Sequence, residues 1–269
     1  MEINTEIGLK SNHEFFTMDY EYLRPDTNTL VGRTEGLYNE SDKRNFFYNI
    51  EISEEEKTNM NEFEERLKQE KLLEIIPRSW SQYDSLRMVY TNKYVLNDAI
   101  VQLKKQCDWF KSLKEFSLTD GAATLLRDGH VFIGPRDKSN NPSLWVIFGN
   151  LKMSTQLADD FSNAMLFCSM IMRKYMMVPG HFDKFTAIFD LCQRNVMMLK
   201  PPLIIKIMTC FKDIYNGFSA KSIVFNSTFS FNLIWKGVST VISADTAKKF
   251  VNYDKKVQDG LLNHFNKED

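Results

Sequence analysis

Apolar residues recur at helical spacing over residues 53–113 and as short continuous runs set between helices from Gly121 onward. The first helix is predicted to start at Ser53, whose hydroxyl precedes Glu54-Glu55-Glu56. An N-cap oxygen ahead of three first-turn acids satisfies free N–H groups and complements the helix dipole. Pro77 closes this block. Helical patterns follow at 83–90 and 95–113, the latter with Ala99, Ile100, Leu103, Cys107, Phe110 and Leu113 on one side. Beyond Gly121, residues 130–134 and 144–148 read as strands joined by a turn-rich hairpin connection, Pro135 to Pro142. A Met-rich helix over 155–177 leads through Pro179-Gly180 to the apolar run 185–190, and another helix precedes a strand at 222–225. Strands alternating with helices of this length predict an α/β sheet with parallel central strands.

The last apolar block differs from the others. Lys-Ser-Ile-Val-Phe-Asn, 221–226, feeds directly into a helical stretch over 229–243. At about 100° per residue, Phe231, Ile234, Trp235, Val238, Val241 and Ile242 share one stripe, while Phe229 and Leu233 point almost the opposite way. One side can cover a sheet, and the other needs a different apolar neighbour. Gly237 and Ser243-Ala244-Asp245 offer flexible points. At the other end, residues 1–52 show no sustained period, yet Phe15, Phe16, Tyr20, Tyr22, Tyr38, Phe46, Phe47 and Tyr48 make them too aromatic for a solvated tail. This arm is expected to pack on its own domain or on a protein partner through residues 1–50.

Composition narrows the classes. With 43% apolar and 26% charged residues in 269, the chain reads as globular, and no run approaches the roughly 20 apolar residues that span a bilayer. Glu2 and Glu6 stand where a secretory signal would be basic, so a cytoplasmic location is expected. Cys107, Cys168, Cys192 and Cys210 lie far apart, at no zinc or redox spacing, and neither a metal nor a disulfide is expected. Net charge is −1, but residues 1–80 hold 18 of the 35 acids and only 10 of the 34 bases, leaving 17 acids against 24 bases in the remainder. That basic excess suits an anionic membrane surface. It is too diffuse for nucleic acid, and no DNA- or RNA-binding motif accompanies it.

Catalytic chemistry leaves little trace. His13, His130, His181 and His264 are scattered, and neither a nucleophile elbow nor a phosphate-cradling glycine loop appears. Asp190, ending an apolar strand, sits where α/β sheets place active-site carboxylates, but a structural role is the expected one. Neither catalysis nor a cofactor is therefore expected. Methionines 165, 170, 172, 176, 177, 197, 198 and 208 fit ordinary core packing or an adaptable lining for a flexible apolar ligand.

The segment Phe211-Lys212-Asp213-Ile214-Tyr215-Asn216-Gly217, the strand ending at Asn226 and the two-sided helix together resemble the lipid-binding half of the CRAL-TRIO (Sec14-like) family. Leu86-Arg87-Met88-Val89-Tyr90-Thr91-Asn92-Lys93-Tyr94 is similar to that family's Leu-Arg-Phe-Leu-Arg-Ala-Arg-Lys-Phe motif, and the likeness spans about 53–265. It implies a three-helix amino-terminal bundle (53–116) followed by a lipid-binding domain (117–269) with a mostly parallel sheet flanked by helices and a helical gate over a hydrophobic pocket. The arm is residues 1–52. Facing patterns put Val146, Phe148, Ile188 and Val224 on the pocket floor, Met172 and Met176 opposite, and Phe231, Ile234, Trp235 and Val238 on the gate. For an anionic head group the resemblance implies Lys93, Thr246 and Lys249. Asn92 replaces the family's Arg and Gly217 its Glu, which departs from its phosphatidylinositol-binding pattern because Asn lacks the bidentate fork of Arg. The function implied is non-enzymatic binding of a phospholipid or other lipophile, exchanged at membrane surfaces by a cytoplasmic, peripheral protein. The alternative is an accessory subunit of a larger assembly that keeps a degenerate fold without transfer.

Overall fold

The computed structural model describes residues 14–16, 18–25, 44, 47–48, 50–76, 80–112, 116–149, 151, 154–192, 218–239, 247–253 and 257–267. Helices α1 (Glu54–Gln69), α2 (Gln82–Thr91) and α3 (Leu96–Ser112) come first. Ser53 caps α1 as its sequence predicts: its hydroxyl accepts from Glu56 N, and the Glu56 carboxylate accepts from Ser53 N. Asp84 does the same for α2, accepting from both the backbone N–H and the hydroxyl of Ser81. Met60, Phe63 and Leu67 of α1 meet Leu86 and Val89 of α2 and Ala99, Ile100, Leu103 and Cys107 of α3 in one buried cluster. Phe47 of the arm joins this bundle core, 2% exposed.

The α/β part contains α4 (Asp120–Arg127), β1 (Val131–Gly134), β2 (Ser143–Ile147), α5 (Thr155–Ile171), β3 (Phe185–Asp190), β4 (Ser219–Phe225), α6 (Phe229–Val238), β5 (Phe250–Tyr253) and α7 (Val257–His264). The sheet order is β1-β2-β3-β4-β5, with β1 antiparallel to β2 and every later pair parallel. Four of these strands lie where the sequence predicts them. β5 is an addition, aligned with β4 through Ser222↔Phe250 and Val224↔Asn252.

Because side chains alternate across a strand, register fixes two faces. Val146, Phe189 and Val224 align across β2, β3 and β4 on one face, and Trp145, Ile188 and Ile223 on the other. The first face packs under α4, α5 and α6. The second packs under α7, through Ile188, Ile223 and Phe225 against Leu261 and Phe265. The predicted helix over 155–177 is α-helical only to Ile171; Met172–Met176 forms a π-turn, closed by Met177 N donating to Met172 O at 2.9 Å. Among the described residues no helix is long and apolar enough to cross a membrane.

The described parts of the arm lie against this same chain. Glu14–Phe16 and Glu21–Leu23 are 3-10 turns, and Phe15, Tyr20 and Leu23 pack on the α4/α5 core. Arg44 forms a buried ion pair with Glu56 at 2.6 Å.

Candidate functional site

The apolar face under α6 is continuous with the core under α5, since Phe148 and Phe189 belong to both. Beneath α6 lie Val224 and Leu191, with Phe231 and Trp235 reaching down from the helix and Phe250 up from β5. The Trp235 and Phe250 rings are 4.2 Å apart, and Phe231 and Trp235 stack at 6.4 Å. The floor is closed toward α5 by Phe148 on Phe161, 5.1 Å between centroids. Met172 and Met176, 0% and 4% exposed, continue the lining along the α5 core together with Val146. The space between floor and helix thus carries aromatic rings contributed by both.

α6 has the two-sided character expected of it. Phe231 and Val238 are buried at 9% and 1% exposure, whereas Phe229 and Leu233 project outward at 77% and 53%. Phe229 and Leu233 are one turn apart and form a short outward apolar strip. Lys236 lies in the last turn of the same helix.

Seven of the predicted pocket residues, Val146, Phe148, Met172, Met176, Val224, Phe231 and Trp235, fall on this connected apolar face. Val238 is buried on α6. The side chain of Ile234 lies outside the described residues. Ile188 does not belong to the face: its register with Trp145 and Ile223 turns it to the opposite side, beneath α7. Its place is taken by Phe189, which aligns with Val146 and Val224. Ile188 is the one apolar residue of its parity in β3, between Thr186 and Asp190, whereas Phe185, Ala187 and Phe189 fill the other, and the pairing of β3 with its neighbours fixes which face each takes. Phe250, Leu191 and Phe161 are further members of these apolar clusters that the sequence did not single out. Phe250 could have been reached only through recognition of β5.

The head-group candidates are dispersed. Lys93 is exposed past the end of α2, with φ of 53°. Thr246 lies outside the described residues. Lys249, half-buried just before β5, donates from Nζ to Ser219 O at 2.8 Å. Its electrostatic neighbour is Lys184, whose amine, withdrawn from water, is pushed down to about 8 and donates to Arg44 O at 2.8 Å. Close by, Arg87 forms a buried pair with Asp183, and Arg87 and Arg173 both lie over the Phe218 ring, at 4.5 and 4.9 Å from its centroid. Between Trp80, Arg87, Gln106, Arg173 and Phe218 runs a narrow cleft of about 10 Å³ with mixed polar and apolar walls, room for one water. Among the described residues no group of histidines, cysteines and acids is arranged to hold a metal. The Cys168 thiol, buried in the α5 core, is pushed up to about 12 and stays protonated and unreactive.

Asp190 ends β3, and its Oδ1 accepts from Cys192 N and Asn226 Nδ2, both at 2.8 Å. It ties the ends of β3 and β4 together, where Cys192 and Asn226 both take positive φ, 51° and 52°.

The profile of the CRAL/TRIO domain matches residues 126–269. No curated protein matches the chain. Among solved structures, the crystal structure of Sfh5 superposes with a TM-score of 0.57 over 76% of this chain and 82% of that one, at 12% identity, which is a likeness of fold.

Proposed function

The chain belongs to the CRAL/TRIO domain family, and from that premise we propose that it binds one phospholipid or comparable lipophile between the sheet and α6, exchanging it at a membrane surface without catalysing a reaction. The observation that carries this reading is the two-sided α6. Holding Phe229 and Leu233 in water forgoes about 1.5–3 kcal/mol for each side chain that could be buried. Against a bilayer interface that loss is recovered, and the helix gains a reason to leave the sheet. A diacyl lipid of roughly thirty methylenes needs enclosure on the order of 20 kcal/mol, which a sheet floor under a displaceable apolar helix supplies.

The arrangement described above is then the closed form. Phe231, Trp235 and Phe250 occupy the space that acyl chains take when α6 lifts, so that ligand and rings exchange places over Val146, Phe148, Phe189 and Val224. Met172 and Met176, unbranched and polarizable, adapt the side wall to chains of different length. An anionic head group reaching Lys249 competes with the Ser219 carbonyl for its ammonium; Lys93 and Thr246 complete the proposed head-group set. Membrane association is peripheral, and the cytoplasm is the proposed location.

Native mass spectrometry of the purified full chain tests the reading. A population heavier than the polypeptide by the mass of one lipid, lost on organic extraction, is the expected result. A ligand-free chain that takes up no lipid from phospholipid vesicles and does not associate with them overturns it in favour of an architectural role.

A further inference from the structure

The π-turn Met172–Met176 carries the side wall of the proposed pocket, and the described parts of the amino-terminal arm contact the chain on both sides of it. A π-turn packs five residues where an α-helix has fewer per turn, and such bulges persist where surrounding contacts favour them. On one side the arm's turn Glu21–Leu23 lies along it. The Tyr20 ring sits 5.6 Å from that of Tyr175, and the Tyr20 hydroxyl donates to Phe15 O at 2.7 Å, folding the arm back on itself. The Arg136 guanidinium donates to Met176 O at 2.9 Å, the last carbonyl of the π-turn, and reaches the arm's Leu23 O at 3.5 Å. Upstream, Phe15 meets Phe167 of α5 edge-on at 6.1 Å. On the other side, where the chain leaves the π-turn, the N–H groups of Phe47 and Tyr48 both donate to Gly180 O, at 2.9 and 2.8 Å. Tyr48 stacks on His181 at 3.6 Å.

We infer that the amino-terminal arm is an internal strap that holds the π-turn, and with it the Met172–Met176 wall, and thereby controls ligand entry from the side away from α6. Relaxation of a π-turn to α-helix removes one residue from the turn and rotates the following side chains by about 100°. Met176 and Met177 then leave their present positions, and the side wall opens or fills without any movement of α6. The inference rests on the pocket proposed above, and it assigns Phe15, Tyr20, Phe47 and Tyr48 to this chain rather than to a partner.

The test is amide hydrogen exchange on the full-length Tyr20→Ala variant, combined with lipid transfer between fluorescent phosphatidylcholine vesicles. Amides of Tyr175–Met177 are expected to exchange about tenfold faster, with those of β2 and β3 unchanged, and transfer to change severalfold. Should Tyr20→Ala speed exchange throughout the molecule, Phe15→Ala decides, because Phe15 meets α5 rather than the π-turn. Faster exchange confined to Tyr175–Met177 in that variant supports the strap. Unchanged π-turn amides in the decisive variant overturn it. Exchange is read without any ligand, so faster π-turn exchange in a chain that transfers no lipid leaves the strap standing and sinks only the pocket.

Discussion

Asp190 illustrates how residue type and residue role separate. A carboxylate at the end of a parallel strand is a catalytic position by topology, yet its Oδ1 receives two hydrogen bonds that fasten the β3 and β4 ends. Asp190→Ala is expected to lower stability by about 1–3 kcal/mol, the effect of leaving those donors without an acceptor, as read from the urea midpoint. Lys184 is a second buried polar group with a measurable consequence. Its amine is pushed down to about 8 by burial, reinforced by the neighbouring Lys249 and Arg87 charges and opposed by Asp183. Between that value and the ordinary lysine value of 10.5 the unfolded chain binds a proton that the folded one has released, so the contribution of Lys184 to stability rises with pH across that window. The neutral amine still donates to Arg44 O. Lys184→Met is expected to flatten the rise, seen as the difference between the two proteins' urea midpoints at pH 7.5 and 9.5.

Elements with local signals were legible from the sequence, and those set by distant pairing were not. The Ser53 cap, the α3 stripe from Ala99 to Cys107 and the two-sided α6 each announce themselves within a few residues, because capping and helical spacing are local. β5 is only Phe-Val-Asn-Tyr after two lysines, and it exists as a strand through its parallel pairing with β4. Ile188 lies on the face opposite to the expected one: it shares its parity with Thr186 and Asp190, while Phe185, Ala187 and Phe189 make the other parity apolar, and the pairing with Trp145 and Ile223 turns it beneath α7. The π-turn is indistinguishable by sequence from a continuation of α5, since nothing in Met-Arg-Lys-Tyr-Met opposes α-helix locally. For the candidate site, the two-sided facing of α6 is therefore readable, the sheet face beneath it only in part, and of the arm only that it packs, not where. α6 also supplies the cleanest mutational test. Trp235 packs on Phe250, so altering it disturbs the fold along with any gating, whereas Phe229 and Leu233 stand in solvent. Phe229→Asp combined with Leu233→Asp is expected to leave stability within about 0.5 kcal/mol while reducing vesicle association at least tenfold in a sedimentation assay. Undiminished association rules out α6 as the membrane-facing element.

The whole molecule depends on a joint between two cores, the helical bundle and the sheet with its covering helices. Arg87 of α2 donates to Asp183, which also accepts from Gly180 N and so fixes the loop leading into β3. Gly180 has φ of 80°, and a Cβ there would lie 2.7 Å from Tyr83, so the loop can approach α2 this closely only with glycine. Both ionised groups of the pair are buried, at 4% and 2% side-chain exposure. Arg87 also pairs with Asp84 at 3.2 Å, so removing Asp183 leaves the guanidinium with one partner in place of two, at a cost of about 3 kcal/mol, while replacing both Arg87 and Asp183 by apolar residues is milder. Asp183→Ala is accordingly expected to lower the urea midpoint sharply, and Arg87→Met with Asp183→Leu to recover much of the loss. The same reasoning separates joint from core. Because the bundle and the sheet each keep their own buried cluster, loss of the joint should uncouple them, and far-UV and tryptophan fluorescence transitions that coincide in the parent chain should diverge in Asp183→Ala. Coincident transitions at an unshifted midpoint would mean that the strap and the apolar contacts hold the two parts together without the ion pair.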